Sequence, residues 1–262
     1  MSTVRDKFWI WGHEAGSHNT GWNLQGSSRM TPAEGAYYLG VPNMILVRYH
    51  DLPKPPYEQY VLALSPLKRL VWSFVGAGGA TDEDELGRVL KLAGKFPNIT
   101  GAMMDDFFRN KETGDRMGVH TPAQLRAIKD RLRTAPRELD LWVVLYEHQL
   151  EMPVSEHLAA CDVVTFWTWW ARNIKDLEKN FSRAEKLTPN SRKVLGCYMY
   201  DYGDKKLMPL DLMEKQCQMG LKWLKDGRID GMIFLASCIC DMGLEAVEWT
   251  KKWIAQVGDR PL

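Results

Sequence analysis

A single (β/α)8 barrel, formed by residues 1–262 as one domain, is the fold class the sequence predicts, on three observations. Eight short apolar segments recur along the chain, amphipathic helical segments separate them, and the repeat averages about 33 residues. That spacing matches the roughly 250 residues such barrels need. The strand candidates are Phe8–Trp11, Met44–Tyr49, Leu70–Val75, Thr100–Asp105, Leu141–Tyr146, Asp162–Trp167, Val194–Tyr200 and Gly231–Ser237. Most are continuous apolar runs rather than alternating ones. Strands covered by helices outside and by a filled interior read that way.

The intervening helices carry their own start signals. Thr31-Pro32-Ala33-Glu34 offers an N-cap, a proline in the first turn and a Glu three residues after the cap, and Thr121-Pro122-Ala123-Gln124 repeats the device. The third helix is predicted to begin near Thr81, with Leu86, Val89, Leu90 and Ala93 on one face. Ile174, Leu177, Phe181 and Ala184 do the same for the sixth, and Leu244, Val247 and Ile254 for the eighth. The fifth unit is the weakest, with only Pro153–Ala160 available. No Pro/Gly/Ser linker divides the chain. A doubly wound open sheet is the competing architecture, but it wants a glycine fingerprint after the first strand. Gly12-His13-Glu14-Ala15-Gly16 does not supply one.

Composition narrows the function. Lys plus Arg is 34 against 33 for Asp plus Glu, a net charge of +1, and 45% of residues are hydrophobic. A disordered chain and a general nucleic-acid binder are both excluded, the second for want of a basic excess. No run approaches the roughly 18 apolar residues that span a bilayer, so no membrane partner is expected. Met1–Lys7 leads directly into Phe8-Trp9-Ile10-Trp11, without a signal-peptide pattern. The expected location is the cytoplasm, or the periplasm or exterior if a signal has been removed. The five cysteines form no C-x-x-C pair and are read as buried, reduced thiols.

In a barrel the chemistry belongs at the C-terminal strand ends. Those ends carry His13 and Glu14; Arg48, Tyr49, His50 and Asp51; Gly76–Gly79; Asp105 and Asp106; Tyr146, Glu147 and His148; Trp167, Trp169 and Trp170; Tyr200, Asp201 and Tyr202; and, past the last strand, Asp241. The sharpest signal is Asp105-Asp106, which closes an apolar strand. Two adjacent carboxylates raise one pKa above the other, and a raised carboxylic acid suits protonation of a leaving group. The structural alternative is that one Asp caps the following turn while the other pairs with Arg48 or Arg109. Glu147 and Asp201 are the candidates for a second carboxylate. Carboxyl groups about 5–5.5 Å apart would imply retention, and about 6.5–9.5 Å inversion.

Aromatic residues supply the second signal. Eleven tryptophans is a high content, and three of them fall within Trp167–Trp170, so they cannot all enter one core. Aromatic faces suit the apolar faces of sugar rings. Substrate contacts are therefore expected from His13, Glu14, Arg48, His50, Tyr146, His148, Trp167, Trp169, Tyr200 and Asp241. The irregular stretch His13–Met30 follows the first strand and is placed over the mouth as a lid or subsite wall. Gly76–Gly79 reads as a tight turn rather than a phosphate loop, because Asp82-Glu83-Asp84-Glu85 follows it.

The strand-four Asp-Asp with aromatic strand ends resembles (β/α)8 glycoside hydrolases, and in particular the retaining hexosaminidases of the O-GlcNAcase type. The resemblance implies that Asp105 orients the substrate's acetamido group and that Asp106 is the general acid/base. The Asn-Glu strand-four motif of another large barrel clan is absent, as is a carboxylate ending strand six. The leading expectation is thus a hydrolase of glycosidic bonds, without cofactor or metal, acting on a carbohydrate. Two alternatives stand beside it. One is a metal-dependent sugar isomerase or epimerase, in which Glu147, Asp201, Asp106 and a His among 13, 50 and 148 hold one divalent ion. The other is a catalytically silent sugar-binding barrel. Oligomerisation through the aromatic mouth is possible in each case.

Overall fold

The computed structural model describes residues 2–108 and 117–262. Eight parallel strands close a barrel in the order β1 (Phe8–Gly12), β2 (Asn43–Leu46), β3 (Arg69–Val75), β4 (Ile99–Met104), β5 (Asp140–Tyr146), β6 (Val163–Trp167), β7 (Arg192–Tyr198) and β10 (Gly231–Leu235), which returns to β1. A separate hairpin, β8 (Tyr200–Asp201) with β9 (Lys206–Leu207), stands above β7. Eight helices lie outside: α1 (Pro32–Leu39), α2 (Glu58–Ala63), α3 (Glu85–Lys95), α4 (Pro122–Arg133), α5 (Ser155–Ala159), α6 (Leu177–Leu187), α7 (Leu210–Lys225) and α8 (Glu245–Val257). This is the predicted (β/α)8 barrel.

Both predicted capping boxes form. The Thr31 hydroxyl accepts from the Glu34 N–H and the Thr121 hydroxyl from the Gln124 N–H, each a cap of about 1 kcal/mol. Four strand ends fall short of their predicted limits, β4 by one residue, at Met104. β2 pairs only to Leu46, because His50 and Asp51 then adopt left-handed backbone. β7 ends at Tyr198, because Tyr200 and Asp201 leave to pair with Lys206 and Leu207. The last strand ends at Leu235, and Ser237–Ile239 turn into a 3-10 helix. The third helix starts at Glu85 rather than near Thr81.

Side chains alternate along each strand, and this decides what reaches the mouth. On β1, Trp9, Trp11 and then His13 share the inward parity. Trp9 meets Trp142 of β5 at 5.2 Å at the lower end, where Arg69 lies over the Trp9 ring at 4.5 Å. One layer higher, Trp11 meets Trp167 of β6 edge-on at 5.1 Å. Such bulk needs a gap opposite. A Cβ on Gly196 of β7 would sit 2.0 Å from the Trp167 ring, so only glycine fits there. The next layer up is the mouth, to which the same parity brings Asp105, Tyr146 and Tyr198. No helix among the described residues is long and apolar enough to cross a membrane.

Candidate active site

A cavity of about 70 Å3 lies at the C-terminal mouth of the barrel. Its walls are Trp11, Trp22, Tyr49, Tyr146, Trp167, Trp169, Tyr198 and Tyr202, with His13, His18, Ala77 and Leu235 completing them. Asp105 and Asp106 are the carboxylates that line it among the described residues.

Asp105 is 5% exposed. Its Oδ1 accepts the Asp106 N–H at 2.9 Å. Burial pushes its pKa well above the ordinary carboxylate value, the charge of Asp106 adds to the rise, and the Asp106 N–H works against it. Asp106 follows with φ +44°, in the left-handed region. Its Oδ1 accepts from the Tyr146 hydroxyl at 2.8 Å and its Oδ2 from the Gly78 N–H at 2.8 Å. The glycine turn after β3 therefore cradles a carboxylate of the chain itself. Gly78 needs its glycine, since its φ is +70°. Burial, and then the charge of Asp106, push the hydroxyls of Tyr146 and Tyr198 well above 10, so both are neutral donors.

His13 lines the cavity with both nitrogens committed. Trp11 Nε1–H donates to His13 Nε2 at 3.1 Å, so that nitrogen is unprotonated, and Nδ1 carries the hydrogen that faces the Val47 carbonyl at 3.0 Å. Burial lowers its pKa to about 4. His18 sits 4.9 Å from it, ring to ring, and is held 2.8 Å from the Tyr202 hydroxyl through Nδ1. Burial, then the nearby His13 and His50, also hold His18 well below its ordinary value.

Of the predicted contact residues, Trp167 and Trp169 line the cavity, as do His13 and Tyr146. Trp170 turns outward beneath Arg172, 5.2 Å from the ring. The others serve other tasks. Glu14 has the opposite parity to His13 and accepts from the Tyr60 hydroxyl at 3.2 Å. Arg48 reaches down to the fully buried Glu85 at 2.6 Å and to the exposed Asp51 at 3.2 Å, and does not pair with Asp105 or Asp106. Arg109, the other partner considered, lies outside the described residues. His50 is exposed and stacks on Tyr49 at 4.1 Å, and His148 stacks on Tyr146 at 5.2 Å.

Neither candidate second carboxylate lines the cavity. Glu147 follows the inward Tyr146 and so points the other way, accepting from the Trp169 N–H at 2.9 Å and the Asn173 amide at 3.0 Å. Burial would raise its pKa, but bonds from His148, Asn173 and the Trp169 N–H outweigh that and lower it. Asp201 accepts from the Ala171 N–H at 3.3 Å and the Asp204 N–H at 3.2 Å, and ties the hairpin to the loop after β6. Among the described residues, no group of three or more His, Cys, Asp or Glu side chains comes together as a metal site.

Sequence reasoning placed the His13–Met30 stretch over the mouth but did not single out His18 or Trp22 within it. Trp22 Nε1–H donates to the Tyr49 hydroxyl at 3.2 Å, and the Tyr202 ring meets it edge-on at 5.0 Å. Tyr200 and Asp241 pin this loop. The Tyr200 hydroxyl donates to the Trp22 carbonyl at 2.8 Å, and Asp241 accepts the Arg29 N–H at 2.9 Å.

No protein-family model matches this chain, and none of the curated proteins compared matches it. Several of the solved structures it resembles are named as glycosidases, and another as an aldolase. Active domain 2 of a chitinase from Pyrococcus furiosus is similar over 100% of this chain and 99% of its own, with 12% identity and a TM-score of 0.63. The GH99 endo-alpha-mannosidase from Bacteroides thetaiotaomicron is similar over 97% and 98%, with 9% identity and a TM-score of 0.56. A xylanase-A-amylase inhibitor protein is similar over 96% and 98%, with 12% identity and a TM-score of 0.56. At these identities the likeness establishes the fold, a (β/α)8 barrel.

Proposed function

We propose that the protein is a glycoside hydrolase that uses Asp105 and Asp106 as its acid/base pair on a 2-acetamido sugar. One observation carries this reading: two adjacent carboxylates line an aromatic-walled barrel mouth, and Glu147 and Asp201 are both committed to backbone N–H groups elsewhere. A covalent glycosyl-enzyme would need a further carboxylate facing the sugar. Substrate assistance needs only the pair, because the acetamido oxygen supplies the nucleophile. Trp169, Trp22 and Tyr49 offer ring faces to the sugar, and a positioned acid contributes about 10²–10⁴-fold. The metal-isomerase reading has less support, since both nitrogens of His13 are already bonded within the protein.

A screen of methylumbelliferyl glycosides tests this. Turnover of the N-acetyl-β-glucosaminide, lost in Asp105→Asn and Asp106→Asn, is the expected result. Full activity in both variants, or no turnover of any glycoside by the wild type, overturns it. Sugar binding without turnover would identify the silent barrel instead.

A further inference from the structure

We infer that Asp105 delivers the proton to the departing oxygen and that Asp106 is the fixed acceptor that orients the substrate. This rests on the hydrolase reading above, and it reverses the division of labour that the hexosaminidase resemblance implies.

The hydrogen-bond pattern carries the assignment. Asp106 receives a donor on each oxygen, the Tyr146 hydroxyl on Oδ1 and the Gly78 N–H on Oδ2, both at 2.8 Å. A carboxyl group held by donors on both oxygens is arranged as an acceptor. Its left-handed backbone, with φ +44°, fixes it further. Such a group can receive an amide N–H from the substrate, but it has no proton placed for delivery. Asp105 differs. Among the described residues it receives one bond, from the Asp106 N–H to Oδ1. It is buried on the inward face, at the cavity wall.

The surroundings favour a proton on Asp105. The groups that face the pair are the neutral hydroxyls of Tyr146 and Tyr198 and the neutral rings of His13 and His18. Burial and the neighbouring charge then place the proton on Asp105.

The step balances without any added reagent. The Asp105 proton passes to the glycosidic oxygen as the bond from that oxygen to the anomeric carbon breaks. The acetamido carbonyl oxygen bonds to the anomeric carbon in its place. The resulting oxazolinium N–H donates to Asp106. Water then adds to the anomeric carbon, the bond to the acetamido oxygen breaks, and Asp105 takes the proton of the water.

The test varies the leaving group. Dinitrophenolate leaves without protonation, whereas an alkoxide does not. On N-acetyl-β-glucosaminides, Asp105→Asn is expected to stay within about 10-fold of wild type with the dinitrophenyl substrate. With an alkyl aglycone it should lose about 10³-fold or more, and the basic limb of its pH–rate profile should vanish. Asp106→Asn should lose about 10²-fold or more on both substrates alike. The opposite pattern overturns this assignment and leaves the hydrolase reading standing. A wild type that hydrolyses no glycoside removes both.

Infrared spectroscopy of the resting protein gives a readout that needs no substrate. A protonated-carboxyl carbonyl band should be present at neutral pH and absent from Asp105→Asn. In Asp106→Asn it should persist but titrate at lower pH. Absence of the band from wild type at neutral pH, or its loss only in Asp106→Asn, overturns the proposal.

Discussion

The Tyr146 hydroxyl, at the end of β5, reaches over the end of the neighbouring β4 to donate to Oδ1 of Asp106 at 2.8 Å. The tyrosine is itself held on several sides. His148 stacks on its ring at 5.2 Å, Trp169 meets its edge at 5.7 Å, and its backbone N–H is bound by Gln149. Tyr146 is therefore a positioning residue for Asp106. A hydrogen bond to a charged group contributes about 1.5–3 kcal/mol. Tyr146→Phe is expected to lower kcat by about 10- to 100-fold with little change in KM. Steady-state kinetics decide the point, and a raised KM at unchanged kcat would place the tyrosine on the substrate instead.

The two buried histidines make stability depend on pH in a set direction. The folded-state value for His13, about 4, lies below its ordinary 6.5. As pH falls, the unfolded chain takes up a proton first, so the contribution is complete above pH 6.5 and is lost progressively down to about pH 4. The gap corresponds to about 3 kcal/mol for His13 alone. His18 acts in the same direction. Replacing His13 with Gln, whose amide both donates and accepts, is expected to cost stability at pH 7 and to flatten the profile. Urea unfolding at pH 7.5 and pH 4.5 gives the comparison. Equal losses in wild type and variant would show that His13 is protonated in the folded protein.

Much of the barrel and the Asp105–Asp106 pair were legible in the sequence, because an apolar run that ends in two carboxylates has few structural explanations. The strand-end rule misplaced others through parity. His13 follows Trp9 and Trp11 on the inward face, so its neighbour Glu14 points out, and Glu147 points away for the same reason after Tyr146. Counting in twos from Trp142 would have found this. Tyr200 and Asp201 were assigned to β7 because Val194–Tyr200 is apolar throughout and nothing in it marks the break at Met199. His18 and Trp22 lie in an aperiodic loop, where no spacing distinguishes a wall residue from a solvated one.

Arg48 and Glu85 carry the wall that holds Tyr49. Glu85 is fully buried and receives Arg48 at 2.6 Å, Arg88 at 2.7 Å and the Tyr57 hydroxyl at 3.0 Å. Burial, then the charge of Glu85, raise the Tyr57 hydroxyl to about 12, so it stays a donor. Glu85→Ala takes the buried counter-charge from Arg48 and leaves it only the exposed Asp51 at 3.2 Å, a loss at or below about 3 kcal/mol. Glu85→Leu with Arg48→Met, which removes both charges, should recover much of that loss. A double variant no more stable than the single one would mean that the pair is not coupled.

The His13–Met30 loop supplies His13, His18 and Trp22 to the wall of the mouth cavity, so its lifting is expected to widen the entrance for a sugar. Its pins are the Tyr200 hydroxyl on the Trp22 carbonyl, Trp22 Nε1–H on Tyr49 and His18 on Tyr202. Opening before binding makes the observed association rate saturate with ligand concentration, at a plateau set by the opening step. Tyr200→Phe removes one pin, about 1 kcal/mol, and should raise that plateau by about fivefold while leaving the chemistry untouched. Stopped-flow tryptophan fluorescence with N-acetylglucosamine oligomers would follow this through Trp22 and Trp169. If the rate rises linearly with ligand and Tyr200→Phe changes nothing, the loop is a fixed wall rather than a lid.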